Sequence, residues 1–490
     1  MIRLNRSSLT EIPNSICQPA YDPRAVSAGI VHIGLGGFHR AHMARYVHDL
    51  MTVDPDATRW GIVGSGLRQS DSRLLERLAA QDHLYTLIER DAAGEASTII
   101  GSLCGVIDAS TSASKLLDAL TARATKIVSV TVSERGYGLN PATKKIDADL
   151  PEIRQDLETP QAPRSVPGLL AEALRRRRAA GLSPFTALCC DNIQHNGRVL
   201  REAVMTLAAA TDARLGAWIE TYGAFPNAMV DRITPVPTPA DIQAVNMATG
   251  IADEAALVAE RFRQWVLEDA SVAEQPAWER VGVQIVSDVT PYETMKLRLL
   301  NASHLAIASL GALDGHVTVL DAIGDKSIRS YMMRLMDEET GPTVPPVPGI
   351  DLTVYKRTLV ARFGNPAVRD TLERINRDAP LNLLLDPLRD RLTLGAPIEL
   401  LALALAAWCS RVRLDARLAA EKKDIAGSVE LMRRAAAAHD NLDAVLGFYP
   451  AFGDVGRNVR LVGATNQWFK RLNTYGVREV LREVASEDCA

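Results

Sequence analysis

Between Thr290 and His304 the chain reads Thr-Pro-Tyr-Glu-Thr-Met-Lys-Leu-Arg-Leu-Leu-Asn-Ala-Ser-His, with four polar side chains of different chemistry at short spacing. At about 100° per residue in an α-helix, Lys296, His304 and Asn301 fall at roughly 0°, 80° and 140°, and Glu293 near 60°. They share one side of a helix, and three of them can converge on one small molecule. Oxidising a secondary alcohol needs such a set: a base for the hydroxyl proton and donors for the developing alkoxide. Lys296 suits the first role if burial or nearby cations lower its pKa from about 10.4. Asn301 suits the second, and His304 can orient the hydroxyl. The blander reading is a solvated polar face with a lone lysine, and Leu297 and Leu300 do sit within the same arc.

A second constellation could hold phosphate. The run Ala28–Ile33 leads straight into Gly34-Leu35-Gly36-Gly37-Phe38-His39-Arg40. Glycines there let the backbone turn sharply and let a pyrophosphate approach the start of the next helix, where unpaired N–H groups favour negative charge. The third glycine of G-x-G-x-x-G falls at His39, so the match is imperfect, and a plain turn is the competing reading. Such a site also wants an acid for the adenosine ribose after the second strand. Asp71, in Gly64-Ser-Gly-Leu-Arg-Gln-Ser-Asp71, is the candidate, although it could equally cap a helix starting at Ser72. Arg68 could hold the extra phosphate of NADP. NAD is the expected cofactor and NADP the weaker alternative. Tyr292 and Lys296 also form the Tyr-x-x-x-Lys pair of short-chain dehydrogenases. Those chains are roughly half as long, their pair lies within the nucleotide domain, and the spacing often arises by chance, so that reading is rejected.

The elements that must position these groups alternate. Buried-strand runs at 28–33, 60–63, 84–88, 126–132 and 185–190 are mostly separated by helical patterns, the first from about Arg40 to Met51, as in parallel β-α-β units. Past about Pro291, long stretches such as 294–313 and 397–413 recur at helical spacing. The expected architecture is α/β. Residues 1–285 form a Rossmann-like NAD-binding domain and residues 286–490 a mostly helical substrate and catalytic domain, with Gly341–Gly349 a surface loop inside it. With 490 residues, 47% hydrophobic and 23% charged, two large globular domains are expected. A net charge of −4 offers no basic field for nucleic acid or an anionic membrane. No N-terminal apolar segment suggests a secretory signal, and no apolar run approaches the roughly 20 residues of a membrane span. Six scattered cysteines without a C-x-x-C pair suggest reduced thiols, a cytoplasmic home and no metal. A monomer is the working expectation for assembly.

Gly34-Leu-Gly-Gly-Phe-His-Arg-Ala-His42, Thr131-Val-Ser-Glu-Arg-Gly-Tyr137, Cys190-Asp-Asn192, Phe225-Pro-Asn-Ala-Met-Val-Asp-Arg-Ile-Thr-Pro235 and Lys296…Asn301…His304 together resemble the mannitol dehydrogenase family, over about residues 25–480. The resemblance implies metal-independent, NAD-dependent oxidation of a polyol secondary alcohol to the ketose, D-mannitol to D-fructose first, with D-arabinitol or D-sorbitol as further substrates. It implies that Lys296 is the general base and that Asn192 and Asn301 hold the alkoxide oxygen. His304 would position the substrate, Asp231 and Arg374 would contact its other hydroxyls, and Glu293 would relay the lysine's proton to solvent. Gly34, Gly36, Gly37, Phe38, Arg40 and Asp71 would hold the cofactor. Taken without the resemblance, Asn192 reads as a turn residue, Asp231-Arg232 as an ion pair and Arg374 as a solvated charge. Relatives carry a lysine-proline segment shortly after the position of Arg374, where this chain has Arg377-Asp-Ala-Pro-Leu-Asn382. Contacts to remote hydroxyls therefore differ here. Hexuronate (fructuronate or tagaturonate) reduction is the rival within the class, with Arg374 or Arg377 for the carboxylate. A non-catalytic NAD(H)-binding sensor is the rival outside it.

Overall fold

The computed structural model describes residues 1–132, 134–140, 145–270, 274–366, 370–422 and 429–486. They divide into two compact units, Met1–Thr290 and Pro291–Ala490.

In the first unit the longer strands are β1 (Ala28–Ile33), β2 (Gly61–Gly66), β3 (Tyr85–Asp91), β4 (Gly94–Ile100), β5 (Leu103–Asp108), β6 (Ile127–Val130), β7 (Thr186–Cys189), β8 (Ala228–Asp231), β9 (Leu257–Glu260), β10 (Gln264–Glu268) and β11 (Gln284–Val286). Five of them make a wholly parallel sheet in the order β5-β2-β1-β6-β7. Ile30 of β1 packs into one core cluster and Val31 and Ile33 into another, so the sheet is covered on both faces. Near-continuous hydrophobic strands are what two covered faces require. The chain leaves β1 towards β2 on one side, and β6 lies on the other. Strand order reverses there, and the carboxyl ends of β1 and β6 frame the crevice where such sheets bind ligands.

Two expectations need correcting. The run near Leu84 is β3, and it belongs to a separate sheet, β9-β3-β4. The cause is local. Asp91 pairs with Gly94 across a two-residue turn, and Asp91 Oδ1 accepts the Ala93 N–H at 2.9 Å. A connection that short can join only antiparallel strands. The single helix expected from Arg40 to Met51 is two, α1 (Gly37–Ala41) and α2 (Met43–Val53), broken at His42 with φ −109° and ψ −90°. Two further helices matter for the candidate site, α3 (Ser72–Ala80) and α4 (Asn196–Thr211).

The second unit is helical. Thr290–Met295 (α5) runs into a π-helix at Lys296–Asn301 and then into α6 (Ala302–Leu313). Every residue of α6 from Ala302 to Gly311 is buried, as expected of a helix apolar on all sides. It packs on Leu372–Asp378 and on the long helix Glu399–Lys422, which in turn packs on Val459–Ser486. Among the described residues, no helix is long and apolar enough to cross a membrane.

Candidate active site

The glycine turn is built where β1 ends. Gly34 has φ +94°, and a Cβ there would lie 2.1 Å from the Thr131 carbonyl oxygen, so only glycine fits. His32 Nε2 lies 3.2 Å from the Gly34 carbonyl and 3.0 Å from Thr131 Oγ1, and its Nδ1 lies 2.8 Å from Ser129 Oγ. The His39 ring stacks on His32 with centroids 3.4 Å apart. Burial pushes the His32 imidazole down to about 3 and that of His39 well below its usual range. Both rings are therefore neutral at ordinary pH and serve as a packed floor beneath the turn. Gly34, Gly36, Gly37 and Phe38 are half-exposed above that floor. Arg40 departs from expectation. Its side chain is buried, donates to the Ala255 carbonyl and lies over the Tyr85 ring, so it anchors α1 from inside. The resemblance had set it among the residues that hold the cofactor. However, the direction of a helical side chain depends on what packs beneath it.

Asp71 turns backwards. Its Oδ2 accepts the N–H groups of Leu67 at 3.1 Å and Arg68 at 3.0 Å, while α3 receives no side-chain cap from it. The acid thus braces the turn after β2, and the alternative of a cap for the helix at Ser72 is not what the structure has.

Asn192 is exposed in the bend that follows β7, and Asp231 ends β8, 3% exposed. Arg232 is not engaged in the simple Asp231–Arg232 pair that the bland reading offered. Its buried guanidinium donates to the carbonyls of Ala41 and Glu260 and meets Glu89 Oε1 at 2.5 Å. It therefore ties the end of β8 to the end of α1. His32 and Asn196 were not singled out in advance, Thr131 and Asp191 were given no role beyond the motifs that contain them, and Arg232 was given only the pair with Asp231. Their only sequence signal is polarity inside or beside apolar runs, which does not name a partner.

In the second unit Glu293, Lys296 and His304 are 5%, 6% and 9% exposed, so this is no solvated polar face. The π-helix alters their geometry. The Ala302 N–H reaches the Leu297 carbonyl, five residues back, so the turn is wider than an α turn and advances less angle per residue. Lys296 and Asn301, five apart at the two ends of this turn, therefore lie closer in angle than the roughly 140° of regular α geometry. Asn301 Oδ1 is buried and accepts no hydrogen bond among the described residues. The His304 ring stacks on Phe363 at 4.7 Å. Tyr292 donates its hydroxyl to the Pro348 carbonyl at 2.8 Å, which commits the phenol and shows that the Gly341–Gly349 loop, with Gly341 and Val347 buried, is partly packed.

Arg374 is not a solvated charge either. It forks onto Asp370, with Nε 2.6 Å from Oδ1 and a second contact to Oδ2. Arg377, well exposed, meets Asp378 at 2.9 Å. Among the described residues, Asp314, His316 and Asp325 form the group close enough to share a metal ion, but both Asp314 oxygens already face Arg478 Nε, at 3.2 and 3.1 Å.

The arrangement offers a glycine cradle in one unit and, in the other, a buried lysine and an amide at the two ends of one π turn. A mannitol dehydrogenase Rossmann domain model matches residues 28–280, and a mannitol dehydrogenase C-terminal domain model matches residues 288–473. The chain is similar to the Pseudomonas fluorescens mannitol 2-dehydrogenase, solved as a ternary complex with NAD and D-mannitol. The TM-score is 0.91 and the identity 37%, over 99% of this chain and 100% of that one. It is 38% identical to the D-mannonate oxidoreductase of Escherichia coli K12, over 95% of this chain and 97% of that protein. It is 40% identical to the polyol:NADP oxidoreductase of Gluconobacter oxydans, over 76% and 77%. Two domain models that together span most of the chain, and relatives matched nearly end to end, make this oxidoreductase-like chain a member of the mannitol dehydrogenase family.

Proposed function

We propose that the protein is a metal-independent, NAD-dependent polyol dehydrogenase that oxidises a secondary alcohol to the ketose, D-mannitol to D-fructose in the first place, with D-arabinitol and D-sorbitol as further substrates. The observation that carries this reading is the buried Lys296 opening a π turn that Asn301 ends, in a chain so similar to a mannitol 2-dehydrogenase. π turns inside helices are frequent at functional sites.

Gly34, Gly36, Gly37 and Phe38 hold the cofactor. The fit is good, because a Cβ on Gly36 or Gly37 would meet nothing closer than 3.8 Å, and their half-exposed backbone can approach a pyrophosphate. Arg40 contributes by anchoring α1. The nicotinamide, when bound, supplies the hydride acceptor. Lys296 takes the hydroxyl proton, and Glu293 passes it towards solvent. Asn192 and Asn301 donate to the alkoxide oxygen, His304 orients the reacting hydroxyl, and Asp231 and Arg374 contact the others. The partner is a small polyol or ketose, and the setting is cytoplasmic, in keeping with free thiols at Cys17, Cys104, Cys189, Cys190 and Cys409.

The relative named for D-mannonate favours a second reading, reduction of a hexuronate. Arg374 and Arg377, the cations it would use, each already carry a carboxylate partner, and that weighs against it. A panel of polyols, ketoses and uronates with NAD(H) and NADP(H), followed at 340 nm, tests both. Turnover with uronates alone would replace the polyol reading. Cofactor binding without turnover on any member would leave a sensor.

Cofactor choice gives a separate prediction. Asp71 also accepts the ribose hydroxyls and repels a 2′-phosphate, while Arg68 pulls the other way. Hydrogen bonds to a charged acceptor are worth about 1.5–3 kcal/mol. Asp71→Ala should therefore lower kcat/KM with NAD about tenfold or more and raise relative use of NADP. Asp71→Asn keeps an acceptor for the Leu67 and Arg68 amides but removes the charge. The same shift in Asn and Ala variants identifies charge as the selector; a shift in Ala alone reduces Asp71 to a brace.

A further inference from the structure

An exposed amide in a bend cannot by itself hold an alkoxide, so what fixes Asn192 matters. The six residues from Asp191 to Asn196 are tied at both ends. Asp191 Oδ2 accepts the Val132 N–H at 2.9 Å and the Tyr137 hydroxyl at 2.6 Å. Val132 follows Thr131, whose N–H donates to the Ile33 carbonyl at 2.9 Å and whose hydroxyl donates to the Gly34 carbonyl at 3.0 Å. At the other end Asn196, fully buried, uses its whole amide. Nδ2 donates to the carbonyls of Asp191 at 3.1 Å and Ala228 at 2.7 Å, and Oδ1 accepts the Ala228 N–H at 2.9 Å. Ala228 opens the strand that Asp231 closes.

Two more features belong to the same device. His195 is held left-handed, φ 54° and ψ 44°, a conformation that is unfavourable for a non-glycine residue and persists only where its surroundings impose it. A Cβ on Gly197 would lie 2.3 Å from the Pro226 carbonyl oxygen, so the first turn of α4 abuts the segment entering β8. The loop is thus braced against the segment after β6 and against β8, and reaches the glycine turn through Thr131.

We propose that Asp191 and Asn196 are positioning residues: they form a latch that registers the Asn192 amide against the nucleotide turn and against Asp231. The latch rests on the assignment of Asn192 to the alkoxide oxygen. Neither residue touches substrate; both act through Asn192. A half-buried acceptor that carries two donors cannot be lost without freeing the bend, because the Val132 N–H and the Tyr137 hydroxyl then seek other partners.

The test compares wild type with Asp191→Ala, Asn196→Ala, Asp191→Asn, Tyr137→Phe, Asn192→Ala and the Asp191→Ala/Asn192→Ala double variant, in the full chain. For each, kcat with D-mannitol, KM for NAD and the thermal midpoint are measured. Asp191→Ala and Asn196→Ala should lose about 10- to 30-fold in kcat, with KM for NAD within twofold of wild type. Asp191→Asn retains an acceptor for both donors and should keep most of the rate, and Tyr137→Phe should lose a few-fold. Because the latch works through Asn192, the double variant should be no slower than Asn192→Ala alone.

A double variant whose losses multiply, or folded Asp191→Ala and Asn196→Ala at wild-type kcat, would overturn the latch while Asn192 keeps its role. If Asp191→Ala does not fold, an unchanged kcat in Tyr137→Phe together with wild-type behaviour of Asn196→Ala overturns it instead. Wild-type kcat in Asn192→Ala removes the underlying assignment, which is a distinct result.

Discussion

Replacing Lys296 with alanine is expected to lower kcat for polyol oxidation by about 10²–10⁴-fold, the usual worth of a positioned general base, while NAD binding stays close to wild type. Lys296 is the amine buried on the π turn, and only its neutral form can accept the hydroxyl proton. The sign of the pH dependence follows. Below the pKa of the bound state the amine is protonated, so oxidation slows as pH falls. In the reverse direction the ammonium must donate, so ketose reduction slows as pH rises. Initial rates in both directions across the pH range, with a deuterated polyol to establish that chemistry is limiting, check this. In Lys296→Ala both slopes should disappear. A variant with near-normal turnover at neutral pH, or a wild-type profile flat in both directions, would falsify the base assignment.

Asn301→Ala and Asn192→Ala should each slow the chemical step by about 10²–10³, or about 2.7–4 kcal/mol, with far smaller effects on KM. A donor aimed at an alkoxide acts where charge develops, and the ground-state alcohol gains little from it. The two positions differ in what else they risk. Asn301 ends the π turn and its Oδ1 already lacks a hydrogen-bond donor among the described residues, so its loss removes little internal bonding. Asn192 stands exposed, so its loss leaves the packing of the first unit intact. Unfolding is therefore a poor explanation for a slow variant at either position, and thermal midpoints within a few degrees of wild type are expected. A rise in KM alone would make that asparagine a substrate-binding residue.

Much of this was legible in the chain itself. Apolar runs announce β1, β2, β6 and β7, because a sheet covered on both faces demands continuous hydrophobicity. Gly34 could be recognised from its place after β1, since a sharp turn with φ above zero leaves few alternatives to glycine. The helical character of the C-terminal part follows from periodicity alone. The family resemblance rested on residues scattered from Gly34 to His304, each readable one at a time.

Other features were left open by the sequence, some because their partners are distant and some because two local hydrogen-bond patterns compete. Arg40 points inward because the Ala255 carbonyl and the Tyr85 ring lie beneath α1, some 215 and 45 residues away in the chain. Asp71 turns to amides before it, a choice between two local hydrogen-bond patterns that composition leaves open. The angular reading of Lys296, Asn301 and His304 assumed one bonding rule along the whole helix. A π turn breaks that rule by shifting each acceptor one residue further back. The shift exchanges one set of backbone hydrogen bonds for another, so no residue type announces it, and the packing of the buried helix around it decides which set is kept. Sequence by itself therefore determined which groups are available and which elements carry them. Tertiary structure alone decided which way they face, because orientation is settled by the carbonyls, carboxylates and rings that long-range folding brings alongside.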